Sequence, residues 1–101
     1  MLTFAAFAQP GTDEQLATQY FQNKEFEKAR DYYEKLYNKK SSQQYYTPFL
    51  NCLIELKEFK KAEKLVKKQI KQNPHNPEYT IDLGVVYTYA EEPGKATNVW
   101  E

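Results

Sequence analysis

Three alanines, Ala29, Ala62 and Ala96, stand 33 and 34 residues apart, and their surroundings recur with them. Twelve positions before each lies Ala17, Leu50 or Gly84; nine before lies Tyr20, Leu53 or Tyr87; thirteen before lies Leu16, Phe49 or Leu83. Four positions after lies Tyr33, Val66 or Trp100. Three positions before the first two lies Phe26 or Phe59, whereas the third has Pro93. A period of this length restricts the fold more than any composition does. One supersecondary unit is repeated, and each copy buries its apolar face only by stacking on a neighbour.

Each unit reads as two helices. In its first half, residues such as Leu16, Ala17 and Tyr20 fall at i, i+1 and i+4, one face of a helix. In the second half, Phe59, Ala62, Leu65, Val66 and Ile70 form another stripe. Short polar turns, Asn23-Lys24, Lys57-Glu58 and Glu91-Glu92-Pro93-Gly94, separate the halves. The spacing predicts helices near 12–23, 25–38, 43–56, 59–72, 77–90 and from 94 onward. Thr12 with Gln15 fits a capping box, and Asn76-Pro77 combines an N-cap with a proline at the first helical position. The third helix has two candidate starts. Ser41-x-x-Gln44 favours one near 42, and Thr47-Pro48 one near 47. The earlier start forces Pro48 inside the helix, with one hydrogen bond lost and a bend expected.

Chemistry-bearing constellations are missing. Cys52 is the only cysteine, which rules out an internal disulfide and reads as a small buried hydrophobe. His75 is the only histidine, so neither a Cys–His pair nor a histidine metal site arises from the usual spacings. The expectation is a chain that is not an enzyme, with no cofactor and no small-molecule substrate. Fourteen basic residues balance fourteen acidic ones, so no global charge points to nucleic acid. No apolar run approaches the roughly 18 residues of a membrane-spanning helix. Seven lysines crowd residues 57–71. They read either as the solvated face of an amphipathic helix or, less simply, as a stripe for nucleic acid or an anionic membrane. Glu63 four residues before Lys67 is a favourable helical pair.

The recurring residues resemble the tetratricopeptide repeat, a helix-turn-helix unit of about 34 residues. Leu83, Gly84, Tyr87 and Ala96 carry the clearest match, and residues 10–101 fall into repeats at about 10–42, 43–76 and 77–101. The resemblance implies an all-α fold, a right-handed α-solenoid of antiparallel helical hairpins. In that fold the small residues Ala17 with Ala29, and Gly84 with Ala96, let paired helices approach closely. Leu50 opposite Ala62 implies a wider second crossing. The family's first helices line a concave groove for a protein or peptide partner. The groove positions here are Thr18, Phe21 and Gln22; Thr47, Asn51, Ile54 and Glu55; and Ile81, Val85, Thr88 and Tyr89. The lysine, asparagine and arginine clamp of the carboxylate-binding subclass is missing, since Glu14, Thr18, Pro48, Glu78 and Asp82 occupy its positions. The implied function is a protein-interaction scaffold that binds a helix or extended segment. Alternatives are packing of these residues against further repeats, a regulatory module whose output domain lies downstream, and nucleic-acid binding by the lysine stripe.

The third unit stops nine residues short of a 34-residue repeat. The expectation is a fragment of a longer bacterial protein with Trp100 poorly held. The first nine residues contain seven apolar residues and no charge. Two readings are open: the tail of a signal peptide cut after Ala6-Phe7-Ala8, or a hydrophobic arm on the first helix of a cytoplasmic protein. Under the first, the protein is exported to the periplasm or cell envelope. Its mature chain then begins near Gln9, as mass spectrometry of protein from its native host will read; an intact Met1 on a cytoplasmic protein excludes export.

Overall fold

The computed structural model describes residues 12–92 and 94–96. It is all-helical, with no strand among the described residues. Five helices follow in order: α1 (Thr12–Gln22), α2 (Phe26–Lys39), α3 (Gln43–Glu55), α4 (Phe59–Gln72) and α5 (Pro77–Tyr89). Residues 94–96 are also helical. The five helices lie within one residue of the boundaries expected from periodicity at both ends. The chain divides into two compact units, one through Cys52 and one from Leu53, so the division falls inside α3.

The three turns between paired helices are built alike. Lys24, Lys57 and Glu91 have φ of 61°, 60° and 62°, the left-handed region. In the first turn Lys24 N–H donates to the Phe21 carbonyl at 3.0 Å and Glu25 N–H to Tyr20 at 2.8 Å. In the second, Lys57 donates to Ile54 at 3.0 Å and Glu58 to Leu53 at 2.8 Å; in the third, Glu91 donates to Thr88 at 3.1 Å and Glu92 to Tyr87 at 2.8 Å. This pair of bonds is the Schellman closure of a helix C-terminus. The next helix starts at once, because Ala29, Ala62 and Ala96 donate to the Glu25, Glu58 and Glu92 carbonyls at 3.0, 3.0 and 3.2 Å. The repeat seen in side chains is thus also a repeat of backbone conformation.

The first unit has an aromatic core. α1 and α2 pair through Ala17 and Ala29, both fully buried. Tyr20 stacks on Tyr32 at 5.7 Å, and Phe21 meets Phe26 and Tyr33 edge-on at 5.6 and 6.2 Å. Tyr37 of α2 meets Tyr46 and Phe49 of α3 at 6.4 and 6.0 Å. The second unit is more aliphatic: Leu53, Ala62, Leu65, Val66, Leu83 and Val86 are buried, with Tyr79 and Tyr87. Gly84 and Ala96, the small pair of the third repeat, are buried too.

Local signals mostly hold. Asn76 Oδ1 accepts from Glu78 N–H at 2.9 Å and Pro77 opens α5. α3 takes the earlier start, with Pro48 inside. Ser41 does not cap it; its hydroxyl donates to the Tyr37 carbonyl at 3.3 Å and closes α2 instead. Proline within a helix costs about 3 kcal/mol. Burial of Tyr46 (2% exposed) and Phe49 (8% exposed) offsets that, at about 1.5–3 kcal/mol for a large apolar side chain. Thr12 is the first residue of α1, and the position before it, 11, lies outside the described residues. So do residues 1–9 and Trp100.

A side chain held at positive φ costs about 1–2 kcal/mol, and glycine's extra freedom in the unfolded chain costs about 0.5–1 kcal/mol. Lys57→Gly should therefore raise stability by up to about 1 kcal/mol. Lys57→Val should lower it by at least as much, since β-branching excludes this conformation. Urea denaturation followed by circular dichroism reads both. A midpoint lowered by Lys57→Gly contradicts the left-handed turn.

Candidate functional site

The eleven residues picked out by the repeat register sit on the odd-numbered helices, and none is buried. In the first unit α1 carries Thr18 and Gln22, both exposed, and Phe21, half-buried. Thr47 and Asn51 are exposed on α3. In the second unit Ile54 is half-buried and Glu55 exposed at the end of α3. On α5 Ile81, Thr88 and Tyr89 are exposed and Val85 is half-buried. The residues interleaved with them are buried: Ala17, Leu50, Leu53, Leu83 and Tyr87. The 3.6-residue helical repeat thus separates an inner stripe from an outer one on each helix.

These outer residues are not equivalent. Phe21 meets both Phe26 and Tyr33, so much of its ring serves the α1–α2 hairpin. The Thr18 hydroxyl lies 3.4 Å from the Tyr33 hydroxyl. Thr47 Oγ1 accepts from Gln43 Nε2 at 3.0 Å, and Thr88 Oγ1 donates to the Gly84 carbonyl at 2.9 Å. On α5 the outer stripe is apolar. Ile81, Val85 and Tyr89 follow one another at i, i+4 and i+8, and Ile81 and Tyr89 are 55% and 61% exposed. They are the only exposed large hydrophobic residues among the described ones.

The lysines of residues 57–71 are exposed, while Ala62, Leu65 and Val66 take the buried face of α4. Cys52 is fully buried. A shallow depression of about 320 Å³ beside Glu14, Gln15, Thr18, Gln19 and Gln22 is open to solvent. No group of three His, Cys, Asp or Glu among the described residues is placed to hold a metal ion. No described helix is long and apolar enough to cross a membrane.

The sequence pattern missed one polar cluster. Tyr87 takes the inner position of its repeat, yet its hydroxyl donates to Glu63 Oε2 at 2.5 Å. Lys67 Nζ reaches the same carboxylate at 3.1 Å, the helical pair expected from spacing. The Tyr87 hydrogen bond, and then that of Lys67, holds the Glu63 carboxyl below its ordinary range. Burial, then the bond to Glu63, raises the Tyr87 phenol. Lys95 lies over the Tyr87 ring at 5.6 Å, as Lys28 does over Tyr20 at 5.3 Å in the first repeat. In the second repeat Leu53 stands where those tyrosines stand. The Tyr87–Glu63 pair ties α5 to α4 and is structural rather than part of the outer stripe.

A depressed carboxyl pKa contributes stability that is present above the unfolded-state pKa and is lost as pH falls through the folded one. Tyr87→Phe should therefore cost about 1–2 kcal/mol near pH 7, the range for a hydrogen bond to a charged group with partial solvent access. Its penalty should shrink at a pH well below the ordinary carboxylate range, where Glu63 takes up a proton, in the variant first because it lacks the bond that lowers its pKa. Urea midpoints of both proteins at the two pH values test this. An equal penalty at both rules out the charged bond as its source.

Comparison with protein-family models, curated proteins and solved structures returns no match to this chain.

Proposed function

We propose that this chain is a tetratricopeptide-like segment of a right-handed α-solenoid and acts as a non-enzymatic protein-interaction scaffold. Its odd-numbered helices supply the surface that receives a peptide or helical segment. The observation that carries this reading is the pattern of exposure on those helices. Each alternates a buried inner stripe with an outer stripe, and the outer stripe of α5 leaves Ile81 and Tyr89 more than half exposed. Large side chains left in water at regular helical spacing are the usual anchors of a helix-in-groove contact. The three left-handed turns recur at the spacing of the sequence repeat, and the resemblance to that family implies that these residues are its groove positions. The exposed lysines of α4 belong to the second helix of a unit, which forms the convex side in that family.

A displayed library of random peptides, panned on the purified chain, supplies ligands whether or not the natural partner has been identified. Selected peptides should lose about tenfold or more in affinity on Ile54→Ala with Tyr89→Ala, in line with hot-spot truncation. They should keep their affinity when Lys60, Lys64 and Lys67 are replaced by Gln. If the lysine substitutions abolish binding and the apolar ones do not, the contact is electrostatic and this reading fails.

A further inference from the structure

α2 and α4 are both rich in basic residues, but they dispose of the charge differently. α2 interleaves Lys28, Arg30, Lys35 and Lys39 with Glu27, Asp31 and Glu34. Lys28 pairs with Glu25 at 3.4 Å, Arg30 with Asp31 at 3.0 Å and Lys35 with Asp13 at 3.6 Å. α4 carries six lysines and one carboxylate, Glu63, which Lys67 and the Tyr87 hydroxyl already engage. Lys60, Lys61, Lys64, Lys68 and Lys71 are exposed and pair with no described acidic side chain. At about 100° per residue, the six lysines lie within an arc of about 120°, on the side away from the buried Ala62, Leu65, Val66 and Gln69. No acidic residue of α4 falls inside that arc.

Lys60, Lys64 and Lys68 follow one another at i, i+4 and i+8, and Lys67 and Lys71 at i and i+4. Like charges at this spacing destabilise a helix. A face that only has to be soluble mixes the two signs, as α2 does. Lys71, in the last turn, complements the helix dipole, which the other five do not. An anionic surface laid over the row relieves the repulsion, and the row itself selects the kind of surface. All six cations are lysine, a hydrated point charge, and none is arginine, whose planar fork holds individual phosphates. No aromatic or other large apolar side chain is exposed among them, so a protein segment would find charge without an anchor, and a base nothing to stack on. From Lys60 to Lys71 the row runs about 16 Å along a convex cylinder. A nucleic-acid duplex, convex as well, meets such a cylinder over a short stretch, whereas a flat surface reaches all six side chains. We infer that the lysine row of α4 adsorbs this protein to a bilayer surface rich in anionic lipid, through residues other than those of the odd-numbered helices. The contact is electrostatic and without insertion, because Ala62, Leu65 and Val66 on the apolar face of α4 lie in the protein core.

Co-sedimentation of the full chain with vesicles tests this. At low salt the chain should bind vesicles of phosphatidylcholine mixed with phosphatidylglycerol, release them as salt rises, and leave pure phosphatidylcholine vesicles unbound. Lys60→Gln with Lys64→Gln and Lys68→Gln should weaken binding at least about tenfold, a few-fold for each lysine near the surface. Lys60→Arg with Lys64→Arg and Lys68→Arg should keep it. Lys28→Gln with Lys35→Gln and Lys39→Gln removes the same charge from α2 and should cost no more than about threefold. All these positions are exposed, and circular dichroism confirms that the variants fold. Absence of binding to the anionic vesicles at low salt, equal binding to the neutral ones, or equal loss on the α2 and α4 substitutions overturns the inference. Tighter binding of a DNA duplex or of polyglutamate, lost on the α4 substitutions, makes a nucleic acid or an acidic protein segment the occupant and also overturns it. The peptide contact of the odd-numbered helices is read separately by the library-selected peptides, so either proposal can fail while the other stands.

Discussion

After α1, after α3 and after α5 the chain puts a charged residue into the left-handed region. Lys24, Lys57 and Glu91 hold φ near 60°, a conformation that disfavours any side chain. What holds them there is the backbone closure. Two hydrogen bonds cap the outgoing helix, and the next residue's carbonyl receives the first bond of the incoming one. The turn therefore leaves no room for a flexible linker. It places the alanine of the helix that follows at a constant distance in sequence from the turn. Ala29 and Ala62 are fully buried and Ala96 nearly so, which is how a turn of two residues can be followed at once by close helix packing.

The helices thus positioned serve two ends. Their inner stripes fill the cores, with stacked and edge-on aromatic rings in the first unit and aliphatic side chains in the second. The second unit adds one polar tie, Tyr87 to Glu63, where the ring is buried and the hydroxyl reaches the margin of α4. Half-exposed carboxylates that also pair with lysine are common on helices. A buried tyrosine directed at one of them is a stronger constraint, because the phenol must keep an acceptor once it leaves water. The outer stripes of α1, α3 and α5 are left for other purposes. They carry no cation, and on α5 they expose two large apolar side chains.

Much of this is local and so was legible in the chain alone. Helix boundaries follow from the 3.6-residue spacing of apolar residues and from single-residue punctuation such as Asn76-Pro77. The three-fold register was read from side chains, and the conformation of the turns keeps the same 33- and 34-residue spacing. The polar turns at Asn23-Lys24, Lys57-Glu58 and Glu91-Glu92 were legible as turns, with Lys-Glu-Phe recurring at 24–26 and 57–59. Their left-handed conformation was not, because lysine and glutamate have no preference for positive φ and the usual marker at that position is glycine.

Contacts distant in sequence decided the remainder. Both candidate starts of α3 obey local rules. Burial of Tyr46 and Phe49 against Tyr37 selects the one that encloses Pro48, a choice made by packing energy rather than propensity. Ser41 has the composition of an N-cap but bonds backwards to Tyr37, because the end of α2 presents a free carbonyl within reach. Tyr87 looks like one more core position until Glu63, 24 residues away, is brought beneath its hydroxyl. Periodicity assigns a residue to a face of its helix. Only the packing of that helix on others decides whether the face is covered, and so Ile81 and Tyr89 became distinguishable from Leu83 and Val86 only in the folded chain.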